Sequence, residues 1–304
     1  MKVLILTDGK AGHENQSKAL ARALGCEFDV FELHFRSAAH KAVSYLLSRT
    51  VGLLLPGLFD RFPEAKRGDY AAVIGTGSGT FYAAMTAGAR LRVPCAVVLY
   101  PRGYRLRHFN CILAPAFDRP AKRANVIEIP ANLVAADEEF YAKGVAAYRE
   151  RTAVDPDVAV IIGGPNKCST MTVDWMKARL DEIFALPGKK AVTTSRRTPP
   201  EVEALVDSYP WDYRLIYSKD HFNPIPAFVK LAKTLYVTAE STGMLSEACT
   251  CGTAEVRALD NLNPGPHKFR RFVDGLVRGG YVGGSRKVDL TDALSRARAL
   301  LGFG

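Results

Sequence analysis

The chain has 304 residues, 48% of them hydrophobic and 24% charged, a balance that can bury a large core and excludes a disordered or fibrous chain. Lys and Arg total 41 against 31 Asp and Glu, a formal net charge of +10 spread over both halves, which favours an anionic partner: phosphorylated metabolites, acidic lipid or nucleic acid. No zinc-finger spacing, RNA-recognition strand or long basic helix accompanies the charge, so nucleic acid is not expected as a partner.

Short apolar runs alternate with longer amphipathic stretches almost throughout, the pattern of βα units around parallel sheets. In the first half, strands are expected at residues 2–7 (KVLILT), 28–33, 71–76 (AAVIGT), 95–100, 111–115 and 125–129, with helices at about 13–24, 37–49, 79–91 and 137–149. The stretch 41–62 is too apolar for a simple connection and is flanked by Lys41, Arg49 and Arg61, so it is expected to form either core or an exposed patch that docks on anionic lipid. Its run from Val51 to Phe59 is broken by Gly52, Pro56 and Gly57, and a bilayer span needs roughly 20 apolar residues. At the N-terminus only VLILT separates Lys2 from Asp8, too short for a secretory signal, so a cytoplasmic location is expected. The polar stretch TAVDPD (152–157) carries a proline and no apolar period, which places a boundary between domains 1–151 and 152–304. The second half restarts the rhythm with strands at 158–163 (VAVIIG), 190–195, 213–218, 234–239 (TLYVTA) and 254–259, and helices near 172–185, 199–207, 225–233, 243–251 and 267–278. Six cysteines without a CxxC pair are expected to be reduced, mostly buried thiols, and no metal site is expected.

In open parallel sheets ligands bind beyond the carboxyl ends of the strands, so the loops there hold the candidate chemistry. The first, TDGKAGHENQ (7–16), combines Asp8, Lys10 and His13 with Gly9 and Gly12, which let backbone approach a ligand. GTGSGT (75–80) is a glycine turn around Gly77 and Ser78, but it is not GxGxxG, so a nicotinamide cofactor is not supported. In IGGPNK (162–167), Gly163, Gly164, Asn166 and Lys167 form a candidate anion cradle. SRRTP (195–199) places Ser195, Arg196 and Arg197 where they either hold a phosphate or face solvent. TAESTGMLSEA (238–248) starts a helix at which Ser241 and Thr242 can cap while presenting its amides to phosphate oxygens, with Gly243 four residues before Glu247 on the same face. One turn on, Glu247 is either an acceptor for a ribose diol or an ordinary surface carboxylate. The chain has no GxxxxGK[ST], HExxH or GxSxG, and its one DxD, at 155–157, precedes a strand.

Taken in order, TDGKAGHENQSKALARAL, GTGSG with VPCAVVLY, IIGGPNK, TTSRRTP and VTAESTGMLSEACTCG resemble the mitochondrial-fission Elm-like family, whose members are largely bacterial. The same loops are similar to those of the peptidoglycan glycosyltransferase that adds N-acetylglucosamine to a lipid-linked acceptor. That resemblance implies an α/β fold of GT-B type, two Rossmann-like domains facing a cleft. It also implies that Gly12 and His13 lie near the acceptor, that Gly163 and Gly164 face the donor, and that Ser246-Glu247 match the pair whose glutamate holds the ribose. Glu240-Ser241-Thr242 stands where a simple Ser-Gly is expected, and Arg196-Arg197 has no clear counterpart.

The expectation is therefore a metal-independent, cofactor-free glycosyltransferase. It would use a nucleotide diphosphate-sugar, in all expectation UDP-linked, and a lipid-linked or glycan acceptor at a membrane or cell envelope. Amides of Gly163, Gly164, Ser241 and Thr242 with Lys167, Arg196 and Arg197 would stabilise the leaving diphosphate. His13 would take the acceptor proton, with Asp8 as alternative base or as its orienting group. The rival readings are a non-catalytic scaffold in membrane organisation and a nucleotide-sugar epimerase or dehydrogenase, the latter disfavoured by the missing GxGxxG and Tyr-x-x-x-Lys pair.

Overall fold

The computed structural model describes residues 1–49, 54–134 and 137–303, and contains two compact units. The first comprises Met1–Ile129, Leu133–Ala135 and Asp289–Gly304. Its all-parallel sheet contains β1 (Lys2–Thr7), β2 (Glu27–Glu32), β3 (Ala72–Thr76), β4 (Cys95–Val98), β5 (Cys111–Pro115) and β6 (Val126–Ile129), in the order β2-β1-β3-β4-β5-β6. Helices α1 (Ala11–Ala23), α2 (Ala38–Arg49) and α3 (Phe81–Leu91) connect them. Strands β3, β4 and β5 are buried along their whole length, while β2 alternates exposed and half-buried residues. That contrast follows from position: interior parallel strands are covered on both faces and read as continuous apolar runs, and an edge strand is not.

The second unit comprises Pro130–Asn132 and Ala136–Val288. Strands β7 (Val158–Ile161), β8 (Lys190–Thr193), β9 (Tyr213–Leu215), β10 (Thr234–Thr238) and β11 (Glu255–Leu259) form a parallel sheet in the order β11-β10-β7-β8-β9. Its helices are α4 (Glu138–Arg149), α5 (Val173–Phe184), α6 (Pro200–Asp207), α7 (Ile225–Leu231), α8 (Thr242–Cys251) and α9 (Lys268–Arg278). Renumbered within the unit, this is the 3-2-1-4-5 order of a Rossmann sheet; the first unit begins 2-1-3-4-5, the other common doubly wound order.

Both orders reverse direction once, and the reversal selects which loops become neighbours. In the first unit the switch lies between β1 and β3, which pair directly, so the loops around 7–16 and 76–80 adjoin. In the second it lies between β7 and β10, also paired, so the loops around 162–170 and 238–242 adjoin. Switch points are where open α/β sheets bind ligands.

The units divide the chain elsewhere than at 151/152. Helix α4 packs in the second unit: Tyr141 and Tyr148 are buried, the Tyr148 and Phe228 rings meet edge to face at 5.9 Å, and Gly144 lies so close to Pro226 that a Cβ there would sit 2.5 Å from it. TAVDPD is thus the connection from α4 into β7, which explains its polarity without a domain boundary. A further helix absent from the sequence reading, α10 (Thr291–Leu300), returns to the first unit, where Arg298 donates to the Leu24 carbonyl at 2.7 Å. Its sequence carries a weak apolar stripe, with Ala297 its only buried residue.

All six cysteines are free, four buried and two half-buried. No helix among the described residues is long and apolar enough to cross a membrane.

Candidate functional site

In the second unit, three loops interlock beyond the strand ends. Thr198 Oγ1 donates to the Gly163 carbonyl at 2.6 Å, joining the loops after β7 and β8. Gly163 N donates to Thr238 Oγ1 at 2.9 Å and Gly164 N to Glu240 Oε1 at 2.8 Å, joining the loops after β7 and β10. The two glycines are required by close approach: a Cβ on Gly163 would stand 2.1 Å from Glu240 Oε1, and one on Gly164 would stand 2.0 Å from the Arg197 carbonyl oxygen.

This geometry corrects the expected anion cradle. The Gly163 and Gly164 amides already have acceptors within the protein, and those of Ser241 and Thr242 donate to the Thr238 and Glu240 carbonyls, each at 3.1 Å. Nor does the Ser241 side chain cap α8, although Ser241 occupies the cap position. Among the described residues, the amides left without an acceptor at this helix start are those of Gly243, which is exposed with open space around it, and Met244. Asn166 also has a structural duty, its Oδ1 accepting from Cys168 N at 2.8 Å, and Ser195 Oγ accepts from Arg197 N at 3.3 Å. Lys167, Arg196 and Arg197 are exposed, and among the described residues none forms an ion pair. Three uncommitted cations and two open amides therefore border the switch point, a combination suited to a polyanion.

Glu247 is not a surface carboxylate. Tyr141, 1% exposed, donates from its hydroxyl to Glu247 Oε1 at 3.0 Å. Burial pushes the Glu247 carboxyl above its ordinary range, and the Tyr141 bond opposes that rise. One carboxylate oxygen remains for a ligand hydroxyl. Tyr141 escaped the sequence reading because it lies on α4, 106 positions away and assigned to the other domain.

In the first unit, the loops after β1 and β3 build a second cluster. Asp8 Oδ1 lies 2.9 Å from His13 Nδ1, and Asp8 Oδ2 accepts from Lys10 Nζ at 2.9 Å. Burial raises the Asp8 carboxyl, but the hydrogen bonds from Lys10 and His13 outweigh it and hold the group below the usual carboxylate range. An ionised carboxylate only accepts, so Nδ1 carries a proton toward Asp8 and Nε2 is the ring nitrogen that Asp8 leaves uncommitted. The alternating glycines of GTGSG make room for this pair: a Cβ on Gly77, whose φ is +81°, would stand 2.3 Å from the His13 ring, and one on Gly79 would stand 2.7 Å from the Asp8 Cβ. Ser78 accepts from Lys41 Nζ of α2 at 2.8 Å. Gly9 packs against the Glu32 carboxylate, whereas Gly12 lies on α1 with open space beside it.

The stretch 41–62 divides between core and surface. Leu47, Leu54, Leu58, Phe59 and Phe62 pack in the first unit's core. Val43, Leu46 and Leu55 are 41%, 61% and 38% exposed. Residues 50–53 lie outside the described residues. Helix α2 is tied to the following basic loop by Arg49 Nε, which donates to the Gly103 carbonyl at 2.9 Å, and by Ser44 and Tyr104, whose hydroxyls are 2.8 Å apart. Among the described residues, no group of three or more His, Cys, Asp or Glu side chains is placed to hold a metal ion.

A family model described as Mitochondrial fission ELM1 matches residues 11–293. No curated protein matches the chain. Among solved structures, the UDP-GlcNAc 2-epimerase from Methanocaldococcus jannaschii is similar at 13% identity with a TM-score of 0.55, covering 100% of both chains. The UDP-GlcNAc 2-epimerase from Neisseria meningitidis bound to UDP-GlcNAc has 10% identity, the same TM-score and the same coverage. Arabidopsis thaliana UGT89C1 complexed with UDP-L-rhamnose has 11% identity and a TM-score of 0.55, over 98% of this chain and 88% of that one. Such identities establish the fold, which is of GT-B type, and leave the activity to the site.

Proposed function

The chain belongs to the mitochondrial fission ELM1 family, and from that premise we propose that it is a metal-independent glycosyltransferase that moves a sugar from a UDP-linked donor to a hydroxyl of a membrane-associated or cell-envelope acceptor. The observation that carries this reading is the second unit's switch point, bordered by the exposed Lys167, Arg196 and Arg197, which form no ion pair among the described residues, and by the Gly243 and Met244 amides, which have no acceptor among them. Those groups would bind the diphosphate and stabilise its charge as it leaves. The free oxygen of Glu247 would accept from the ribose. His13 would remove the acceptor proton through Nε2, with Asp8 fixing its tautomer and stabilising the imidazolium that forms. Two features support an acceptor at an anionic lipid surface on the cytoplasmic face: the exposed Val43 and Leu46 of α2, and the exposed Arg102, Arg105 and Arg107 on the loop bonded to it.

Calorimetric titration with UDP and with inorganic pyrophosphate tests the donor site. Glu247→Gln keeps size but weakens a charge-assisted hydrogen bond, worth about 1.5 to 3 kcal/mol against roughly 1 for a neutral one. UDP affinity should fall on the order of tenfold, and pyrophosphate, which has no ribose, should bind unchanged. Equal loss for both ligands would show a merely structural carboxylate, and no UDP binding by the wild type would favour the scaffold.

A further inference from the structure

Buried polar atoms in folded proteins are almost always hydrogen-bonded, and a buried charge without a full set of partners is costly. Two side chains beyond the strand ends of the second unit break that rule. Glu240 is 2% exposed; its Oε1 accepts from Gly164 N at 2.8 Å and from Thr238 Oγ1 at 3.0 Å, yet its Oε2 is buried with no partner among the described residues. Asn261 is 5% exposed, and both Oδ1 and Nδ2 of its amide are buried without partners among the described residues.

The two residues border one loop. Thr238 pairs with Leu259 at the ends of β10 and β11, and Ala239 N donates to the Leu259 carbonyl at 2.9 Å, so Glu240 and Asn261 each stand two positions beyond a paired residue. The loop after β7 is fastened to both. Gly164 bonds Glu240, while Thr170 N donates to the Asn261 carbonyl at 3.0 Å, Ser169 bridges Leu262, and Asn263 N donates to the Cys168 carbonyl at 2.9 Å. The backbone on either side is therefore fixed, and the orphaned atoms cannot be relieved by a local turn.

The chemistry of the orphaned atoms limits what can meet them. They comprise a carboxylate oxygen and an amide oxygen, both acceptors, and one amide nitrogen donor. A diphosphate offers only acceptors and would be repelled by Glu240. Vicinal hydroxyls supply the complementary set, a donor for Glu240 Oε2 and a donor or acceptor for the Asn261 amide. We infer that Glu240 and Asn261 form the subsite for the hydroxyl groups of the donor's hexose, reading the sugar separately from the nucleotide. This inference rests on the donor site proposed above, and Glu240 is the residue that departs from the Ser-Gly expected there.

The test separates sugar from nucleotide. Full-length wild type, Glu240→Gln and Asn261→Ala are titrated with UDP, UDP-glucose and UDP-N-acetylglucosamine, with thermal melts as folding controls. Gln retains an oxygen for Gly164 and Thr238, so the loop should keep its shape. Glu240→Gln should bind the better UDP-sugar about tenfold more weakly, the scale of a weakened charge-assisted hydrogen bond, and Asn261→Ala about fivefold more weakly, the scale of one lost neutral bond, and both should bind UDP as the wild type does. Equal losses for UDP and UDP-sugar would assign the pair to the nucleotide or to loop architecture and overturn the inference. Unchanged affinities in both variants would mean that the orphaned atoms hold buried water, which overturns it while leaving the donor site standing. A wild type that binds none of the three ligands overturns the donor site and the subsite together.

Discussion

Tyr141→Phe removes a single hydroxyl and leaves the ring buried against α8. In the wild type that hydroxyl donates to Glu247 Oε1 at 3.0 Å. Burial first, and then the neighbouring Glu247 charge, push the Tyr141 pKa far above its ordinary value, so it donates at every accessible pH. A hydrogen bond to a charged group contributes about 1.5 to 3 kcal/mol, and one to a neutral group roughly 1. The variant should therefore lose about 1 kcal/mol while Glu247 is protonated and about 1.5 to 3 kcal/mol once it is ionised. The sign follows from linkage. Glu247 has a folded pKa above its unfolded one, so between the two values the folded state holds more protons and stability falls as pH rises. Removing the Tyr141 bond, which lowers that pKa, extends the loss to higher pH, so the variant's deficit grows only above the wild-type folded value, which itself lies above the ordinary Glu range. Urea denaturation followed by circular dichroism, or thermal unfolding at about 2 to 4 °C per kcal/mol, at pH 4, 6 and 8 gives the deficit as a function of pH. A deficit independent of pH, or larger in acid, would refute a charged Glu247 held by Tyr141.

His13→Ala should lower kcat by roughly a hundredfold or more, the usual scale of general-base assistance, with UDP affinity unchanged, because His13 and the loops proposed to bind the diphosphate lie in different units; near-normal turnover in steady-state kinetics would move attention to Asp8. Leu46→Glu changes a residue that is 61% exposed, so the fold should survive while flotation with anionic liposomes is lost; retained flotation, or none by the wild type, would remove α2 from the lipid surface. Leu54 is unsuited to that test because it packs on the core.

Element identity was legible in the chain because the interior strands are buried on both faces. KVLILT and VAVIIG, for example, read as unbroken apolar runs whatever lies beside them. The candidate loops were legible for a related reason: glycines, polar residues and cations directly after such runs must lie at the carboxyl ends of the sheets. What those residues do was not legible, because it depends on strand order, which is set by long-range packing. Pairing of β7 with β10 brings Glu240 to Gly164, 76 positions away, and so removes the glycine amides from any ligand. Pairing of β1 with β3 sets Gly77 and Gly79 against His13 and Asp8, so that a glycine turn becomes the seat of a carboxylate–imidazole pair. The sequence by itself determined two doubly wound sheets and the loops that carry their chemistry. Only the tertiary structure decided that α4 joins the second unit and α10 the first, that Tyr141 bonds Glu247, and that Glu240 and Asn261 stand beyond the ends of paired strands, because buried partners are chosen by proximity in the fold and not by separation along the chain.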